Sequence, residues 1–214
     1  MVEPRWWYDF LLFLVNLGEK YSWIWNFYPI GADIFVFVYP IFLTGLYLYG
    51  MIKHRMEAKK EAIFIFFACF FSVAVNIISQ QFFDKLRPIY EFWTQNLDQE
   101  TILHQFLPST SFPSDHAVVT FSVAMATWLI AHRYCNTKLK VRSVFLFIFA
   151  IITGICRIWT TVHWTTDILA GTIMGILVPV VLIIPFFFDK IEKWILSPII
   201  TLEEKITDKW FKNK

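Results

Sequence analysis

The chain has 214 residues, of which 57% are hydrophobic, 20% aromatic and 17% charged, and its mean hydropathy is +0.54. A soluble domain of this length could not bury so much apolar surface in one core, so the composition indicates a membrane protein. The net charge of +2 without a basic stripe argues against nucleic-acid binding, and three cysteines without ligand-like spacing argue against a disulfide framework or a zinc site.

Long apolar runs predict an all-α, polytopic transmembrane bundle that forms a single domain. Residues 1–29 are predicted to be an interfacial segment, because 6–28 is rich in Trp and Tyr and also carries charges. A sixth span is the alternative for this segment. Residues 30–188 are predicted to form the transmembrane core, and 189–214 an amphipathic cytoplasmic tail. The five predicted spans are 30–52, 62–83, 117–131, 141–156 and 168–188.

Lysine and arginine residues predict the orientation of these spans. They collect in the loops after the first and third spans and in the tail after the fifth, which is therefore the expected cytoplasmic side. Loops 84–116 and 157–167 then meet on the extracytoplasmic or periplasmic side of the inner (plasma) membrane. No cleavable signal peptide is recognised, so insertion is expected to rely on the internal spans.

The residues with the most reactive side chains lie in these two outer loops. His163 and Asp167 are four residues apart, so on a helix they share a face, and the carboxylate can orient the imidazole for nucleophilic attack. Ser114 follows a proline just before the third span and is typical of a helix start, and the N-terminus of such a helix favours an anion. His116 would lie in the first turn of that helix, where it can donate a proton to a leaving group.

Two arginines in the same loops, Arg87 and Arg157, supply planar cations that match phosphate oxygens. Arg157 interrupts an apolar run, and a charge near hydrocarbon usually faces a partner or a water-filled site. Taken singly, Arg157 is typical of a headgroup anchor, and a His-x-x-x-Asp pair is most often structural. Because all these features converge on one predicted face, they indicate an anion-handling site outside the membrane that suits phosphoryl transfer.

These residues resemble the type 2 phosphatidic-acid phosphatase family, whose pattern is Lys-x6-Arg-Pro, then Pro-Ser-x-His, then Ser-Arg-x5-His-x3-Asp. The resemblance covers 80–171 and rests on Arg87-Pro88, Pro113-Ser114-Asp115-His116 and Cys156-Arg157-x5-His163-x3-Asp167. Three positions depart from the pattern: Gln80 replaces the lysine, Asp115 the commoner glycine and Cys156 the serine.

The resemblance implies a phosphohistidine mechanism that needs no metal and no cofactor. His163 would attack phosphorus, Asp167 would orient it, and His116 would protonate the leaving group and later activate water. The resemblance implies that Arg87, Arg157 and Ser114 hold the phosphate oxygens. Lys85 and Asp115 are two further candidate substrate-binding residues. Lys85 would replace the charge missing at Gln80, or would instead face the headgroups, and the Asp115 carboxylate must point away from phosphate or pair with a cation.

The expected substrate is a lipid phosphate or diphosphate in the membrane. The stretch Ser-Phe-Pro-Ser-Asp-His-Ala is most similar to the branch that acts on undecaprenyl diphosphate, whereas lipid A 1-phosphatase and phosphatidylglycerophosphate phosphatase remain open alternatives. A transporter is disfavoured because the sequence shows neither internal repeats nor midspan charges. A non-catalytic scaffold is the other rival. Vanadate haloperoxidases share the motifs but are soluble.

Two glycines on the last predicted span, Gly171 and Gly175, are four residues apart and favour close helix packing. Packing against a helix of the same chain is the preferred interpretation, with dimerisation as the alternative. The oligomeric state does not follow from the sequence.

Overall fold

The computed structural model describes residues 5–88 and 110–212, and within these ranges the chain is helical, which confirms the predicted fold class. The α-helices are Arg5–Lys20 (α1), Ser22–Pro29 (α2), Val38–Ile52 (α3), Met56–Gln80 (α4), Asp115–Arg133 (α5), Thr137–Trp159 (α6), Thr165–Ile183 (α7), Pro185–Ile191 (α8) and Ser197–Lys212 (α9). A π-helical turn, Ile30–Ile34, and a 3-10 turn, Phe35–Phe37, join α2 to α3, and a second π-helical turn, Glu192–Leu196, joins α8 to α9.

Four helical segments of the described chain are long and apolar enough to cross a membrane. They are Asn26–Ile52, Met56–Gln80, Thr137–Trp159 and Thr165–Ile183. They coincide with the predicted first, second, fourth and fifth spans. The predicted fifth span extends too far, because the helix ends at Ile183 and Pro185 begins a new one. The residue before a proline avoids helical geometry, so the chain turns at Ile184.

The predicted third span corresponds to α5, which is not among the four apolar segments because it is the central helix of the bundle. It packs against α4, α6 and α7, so little of its surface faces lipid. Its buried hydroxyl groups bond to carbonyls of their own helix, as from Thr127 Oγ1 to Val123 O (2.6 Å) and from Ser122 Oγ to Val119 O (3.0 Å). A helix surrounded by other helices can carry such residues, whereas a lipid-facing helix is more uniformly apolar.

Gly171 and Gly175 allow α7 to approach α5 closely. A Cβ on Gly171 would lie 2.6 Å from the Ser114 carbonyl oxygen, and one on Gly175 would lie 2.8 Å from the Val118 carbonyl oxygen. The prediction that these glycines serve packing inside the chain is therefore confirmed.

The N-terminal helix α1 has one apolar face turned inward and another turned outward. Trp7, Leu11 and Leu14 are buried, whereas Trp6 and Phe13 are 60% and 58% exposed. This distribution fits a helix lying in the headgroup region, which stays a prediction.

The C-terminal segment from α8 to α9 contacts the N-terminal end of α4 through ion pairs. Lys59 Nζ lies 2.5 Å from a Glu203 carboxylate oxygen, and Lys60 Nζ lies 2.5 Å from a Glu192 carboxylate oxygen. Phe188 and Leu196 are fully buried beneath them. This packing lies at the N-terminal end of α4, whereas Gln80, at the C-terminal end, contacts Asp115 beside the predicted site.

Candidate active site

His163 lies in the short loop between α6 and α7 and is only 3% exposed. Its Nδ1 is 2.9 Å from the Ser111 carbonyl oxygen. A carbonyl can only accept, so Nδ1 carries the proton and donates it to Ser111. The lone pair of the neutral ring is therefore on Nε2, the atom that faces the two predicted arginines.

Both guanidinium groups point at this lone pair. Arg87 Nη1 and Arg157 Nη2 each lie 3.3 Å from His163 Nε2. Arg87 is also held by the carbonyl oxygens of Val162 and Thr110, each at 3.0 Å. Burial, reinforced by the Arg157 and Arg87 charges, holds the pKa of His163 well below its ordinary value. The imidazole is thus kept neutral, and two guanidinium groups lie within 3.3 Å of its Nε2, an arrangement that suits a nucleophile.

Asp167, at the start of α7, supports the histidine less directly than predicted. Its Oδ2 lies 3.5 Å from His163 Nδ1 and accepts a 2.9 Å hydrogen bond from the Trp164 backbone N–H. The Ser111 carbonyl is the closer partner of the ring. A main-chain carbonyl has no sequence signature, which is why this orienting group was not predicted.

Lys85 is buried and turned towards Asp167, so it does not face the headgroups. Its Nζ lies 2.7 Å from Asp167 Oδ1 and 2.6 Å from Thr166 Oγ1. The ammonium group therefore neutralises the carboxylate that stands behind the histidine. A buried ion pair of this kind adds little net stability, because both charges lose their hydration, but removing one partner would leave the other charge buried and unpaired.

Ser114 and His116 stand at the N-terminus of α5. The Ser114 backbone N–H donates to the Asp167 carbonyl oxygen at 3.2 Å, which ties the start of α5 to α7. Ser114 Oγ and His116 Nε2 are buried, and neither has a hydrogen-bond partner among the described residues. His116 also interacts electrostatically with Arg157, His163 and Arg87. Buried polar atoms without partners at a cationic site are suited to an anionic ligand.

Two departures from the family pattern contact each other. Asp115 is exposed, and its Oδ1 accepts hydrogen bonds from Gln80 Nε2 at 2.9 Å and Asn76 Nδ2 at 2.6 Å. Gln80 Nε2 also reaches the Pro113 carbonyl oxygen at 3.2 Å. The Asp115 carboxylate is thus held by side-chain amides of α4. Gln80, which replaces the lysine of the family pattern, is therefore hydrogen-bonded to Asp115, which replaces the glycine.

The third departure, Cys156, is buried against the first span. A Cβ added to Gly31 would lie 2.4 Å from Cys156 Sγ, so the thiol occupies the space that the glycine leaves. Nearby, Asp33 Oδ1 accepts a 2.9 Å hydrogen bond from Arg157 Nη1. Asp33 belongs to none of the sequence motifs, and its only sequence signal is a carboxylate close to the end of an apolar span.

Residues 61–191, which include most of α4, all of α5 to α7 and the motif residues of this site, match the sequence model of the PAP2 superfamily. The chain belongs to this family. The membership confirms the resemblance inferred from the motifs, and with it the assignment of the chain to the membrane lipid phosphatases of the PAP2 superfamily.

Named relatives are similar over most of the chain. The "Putative undecaprenyl-diphosphatase YbjG" of Escherichia coli strain K12 is 28% identical over 78% of this chain and 76% of its own length. The "Bacitracin transport permease protein BcrC" of Bacillus licheniformis is 26% identical over 79% of this chain and 75% of its own. The "Undecaprenyl-diphosphatase BcrC" of Bacillus subtilis strain 168 is 23% identical over 80% and 76%.

A solved structure has the same fold. The crystal structure of Aquifex aeolicus LpxE superposes with a TM-score of 0.52 at 20% sequence identity, and the match covers 81% of this chain and 92% of that one. The helical arrangement described above is therefore shared with a protein of only 20% sequence identity.

Proposed function

We propose that this PAP2 protein removes the terminal phosphate of undecaprenyl diphosphate at the extracytoplasmic face of the membrane, through a phosphohistidine at His163. The observation that carries the proposal is the pair of 3.3 Å contacts from two guanidinium groups to the unprotonated Nε2. Such a pair can bind the phosphoryl oxygens and place phosphorus beside the lone pair.

In the first step the Nε2 lone pair bonds to the terminal phosphorus while the bond from phosphorus to the bridging oxygen breaks. The electrons of that bond leave with undecaprenyl phosphate, and His116 gives its proton to the departing oxygen. The negative charge that the substrate brings favours the protonated form of His116. The Ser111 carbonyl holds Nδ1 during the attack, and Asp167 stabilises the cationic ring that results.

In the second step water attacks the phosphohistidine. His116 takes a proton from this water, the bond between phosphorus and Nε2 breaks, and inorganic phosphate leaves. Arg87, Arg157 and Ser114 Oγ would hold the phosphoryl oxygens in both steps. Lys85 acts behind Asp167 by fixing its carboxylate.

The substrate assignment is supported by the names of two relatives and by the sequence around Ser114. One relative is instead named as a transport permease, which favours a transporter as the second candidate. The reactive groups gather at one end of the bundle, whereas midway along α7 a Cβ on Gly175 would lie within 3.1 Å of Val118, Ser122 and Phe121 of α5. A site at one face beside tightly packed helices suits hydrolysis better than passage across the membrane.

The first experiment is inorganic phosphate release from undecaprenyl diphosphate in detergent with EDTA present. The unaltered protein is expected to release phosphate and His163→Ala to release none. His132→Ala is the matched control, because His132 lies at the other end of α5 and is exposed. Lipid A and phosphatidylglycerophosphate in parallel assays rank the alternative substrates. A well-folded protein that releases phosphate from none of these lipids refutes the proposal and supports the non-catalytic scaffold.

The orientation has its own test. Cys135 is exposed in the loop between α5 and α6, on the proposed cytoplasmic side. A membrane-impermeant maleimide should leave Cys135 unlabelled in intact cells and label it after lysis. In Asp84→Cys/Cys135→Ser the new thiol, on the site side, should be labelled in intact cells. The reverse pattern would place the site in the cytoplasm.

A further inference from the structure

A buried ion pair links the first span to the arginine of the third motif. Asp33 is 2% exposed and Arg157 is 1% exposed, and their side chains meet at 2.9 Å between Oδ1 and Nη1. The two residues are 124 positions apart in the chain. Taking two charges out of water is costly, so a pair held at this depth calls for a functional reason.

The three nitrogens of Arg157 have different surroundings. Nη1 donates to Asp33, and Nη2 points at His163 Nε2 from 3.3 Å. Nε is buried and has no hydrogen-bond partner within the described ranges. The guanidinium group is planar and rigid, so holding Nη1 sets the direction of the other two nitrogens. The edge formed by Nε and Nη2 is left for two oxygens of a phosphoryl group.

The backbone around Asp33 is built for this contact. Asp33 lies in the π-helical turn Ile30–Ile34, where wider winding changes the face on which a side chain emerges. Gly31 lets this turn approach α6, because any Cβ there would meet Cys156 Sγ at 2.4 Å. Gly31 thus sits against Cys156, and two residues later Asp33 meets Arg157, the neighbour of Cys156. π-helical turns are frequent at functional sites.

From this arrangement we infer that Asp33 is a positioning residue of the phosphatase site, which turns the Nε and Nη2 edge of Arg157 towards the reacting phosphoryl group. The inference rests on the proposed function. Asp33 lies outside the three sequence motifs and outside the matched region 61–191. The inference therefore adds a new residue to those that support the reaction. The carboxylate acts through Arg157 and does not itself touch the substrate.

The test compares Asp33→Ala and Asp33→Asn with the unaltered protein, using phosphate release and inhibition by orthovanadate. Loss of the carboxylate should misdirect Arg157 in the transition state, so Asp33→Ala should lower kcat roughly 100-fold, the effect expected of about 1 Å of misplacement. The inhibition constant for vanadate should rise by a similar factor, and KM should change less than about 3-fold. Asp33→Asn keeps an oxygen acceptor near the same point and should recover kcat to within about 10-fold of the unaltered protein.

Asp189→Ala is the matched control, because Asp189 is an exposed carboxylate that also pairs with an arginine, Arg133, at 3.3 Å. It should leave kcat and vanadate inhibition unchanged. A folded Asp33→Ala protein with unaltered kcat and vanadate inhibition overturns the inference, even if its melting temperature falls. Equal losses in Asp33→Asn and Asp33→Ala also overturn it, because they would assign the effect to charge alone. If the unaltered protein itself releases no phosphate, it is the proposed function that fails.

Discussion

A substitution at Gly171 tests whether the close packing of α7 on α5 is needed for activity. A Cβ there would lie 2.6 Å from the Ser114 carbonyl oxygen and 2.9 Å from Ala117 Cβ. The first distance is roughly 0.8 Å short of the separation at which ordinary van der Waals contact begins. The crowded oxygen belongs to the backbone and cannot rotate away, so Gly171→Ala must push the first turn of α5 away from α7.

The displaced turn carries two residues of the proposed site. Ser114 is joined to Asp167 through a 3.2 Å backbone hydrogen bond, and His116 lies two residues further along. A shift approaching 1 Å costs up to about 100-fold in rate, so kcat of Gly171→Ala should fall about 30- to 100-fold. Overpacking should lower the free energy of unfolding by about 1–3 kcal/mol, offset by the roughly 0.5–1 kcal/mol that alanine contributes in a helix.

The assay is phosphate release together with thermal unfolding in the same detergent, and two other glycines supply the controls. A Cβ on Gly45 would meet nothing within 4 Å, so Gly45→Ala should keep full activity and equal or higher stability. A Cβ on Gly154 would meet only Ile168 Cγ2 at 3.1 Å, a side-chain atom that can move, so its effect should be intermediate. Gly171→Ala with the activity and melting temperature of Gly45→Ala would show that the reasoning from the close approach is wrong.

Further predictions concern pH and charge. The folded protein keeps the pKa of His163 well below its ordinary value, whereas in the unfolded chain this side chain binds a proton near pH 6.5. Because the unfolded state then binds more protons, the free energy of unfolding should fall as the pH drops below about 6.5, by at most about 1.4 kcal/mol at pH 5.5. Thermal scans of His163→Gln should lack this part of the loss, and an equal acid loss in both proteins would contradict it. Lys85→Met removes the cation beside buried Asp167 and should lower the free energy of unfolding by about 3–5 kcal/mol, with partial recovery in Lys85→Met/Asp167→Asn. If Lys85→Met alone is as stable as the unaltered protein, the pair of Lys85 and Asp167 does not hold their two chain segments together. Gln80→Lys should pair with Asp115 and keep kcat within about 3-fold, because exposed ion pairs are weak. In Gln80→Lys/Asp115→Ala the free lysine should lower KM at low salt more than at high salt, and a KM independent of salt would refute this.

The sequence by itself indicated that the chain lies in a membrane, predicted its helical class and supplied most residues of the proposed site. Apolar runs of span length are local properties, and four of them reappear as helices in the structure. The motifs around Arg87, Ser114 and His163 have fixed spacings, which is why they could be recognised along the chain. The span that matched least well was α5, because its sequence reflects burial among helices, and hydropathy measures only the affinity for lipid.

Only the tertiary structure shows which groups hold the side chains of the proposed site in position. The Ser111 carbonyl meets His163 across 52 residues, Asp33 meets Arg157 across 124, and Gln80 meets Asp115 across 35. The first of these contacts uses a main-chain atom that every residue possesses, and the second depends on a π-helical turn that no spacing rule contains. Contacts of this kind arise when helices distant in sequence pack together, so the proposed nucleophile could be identified from its motif, whereas its supporting residues required the fold.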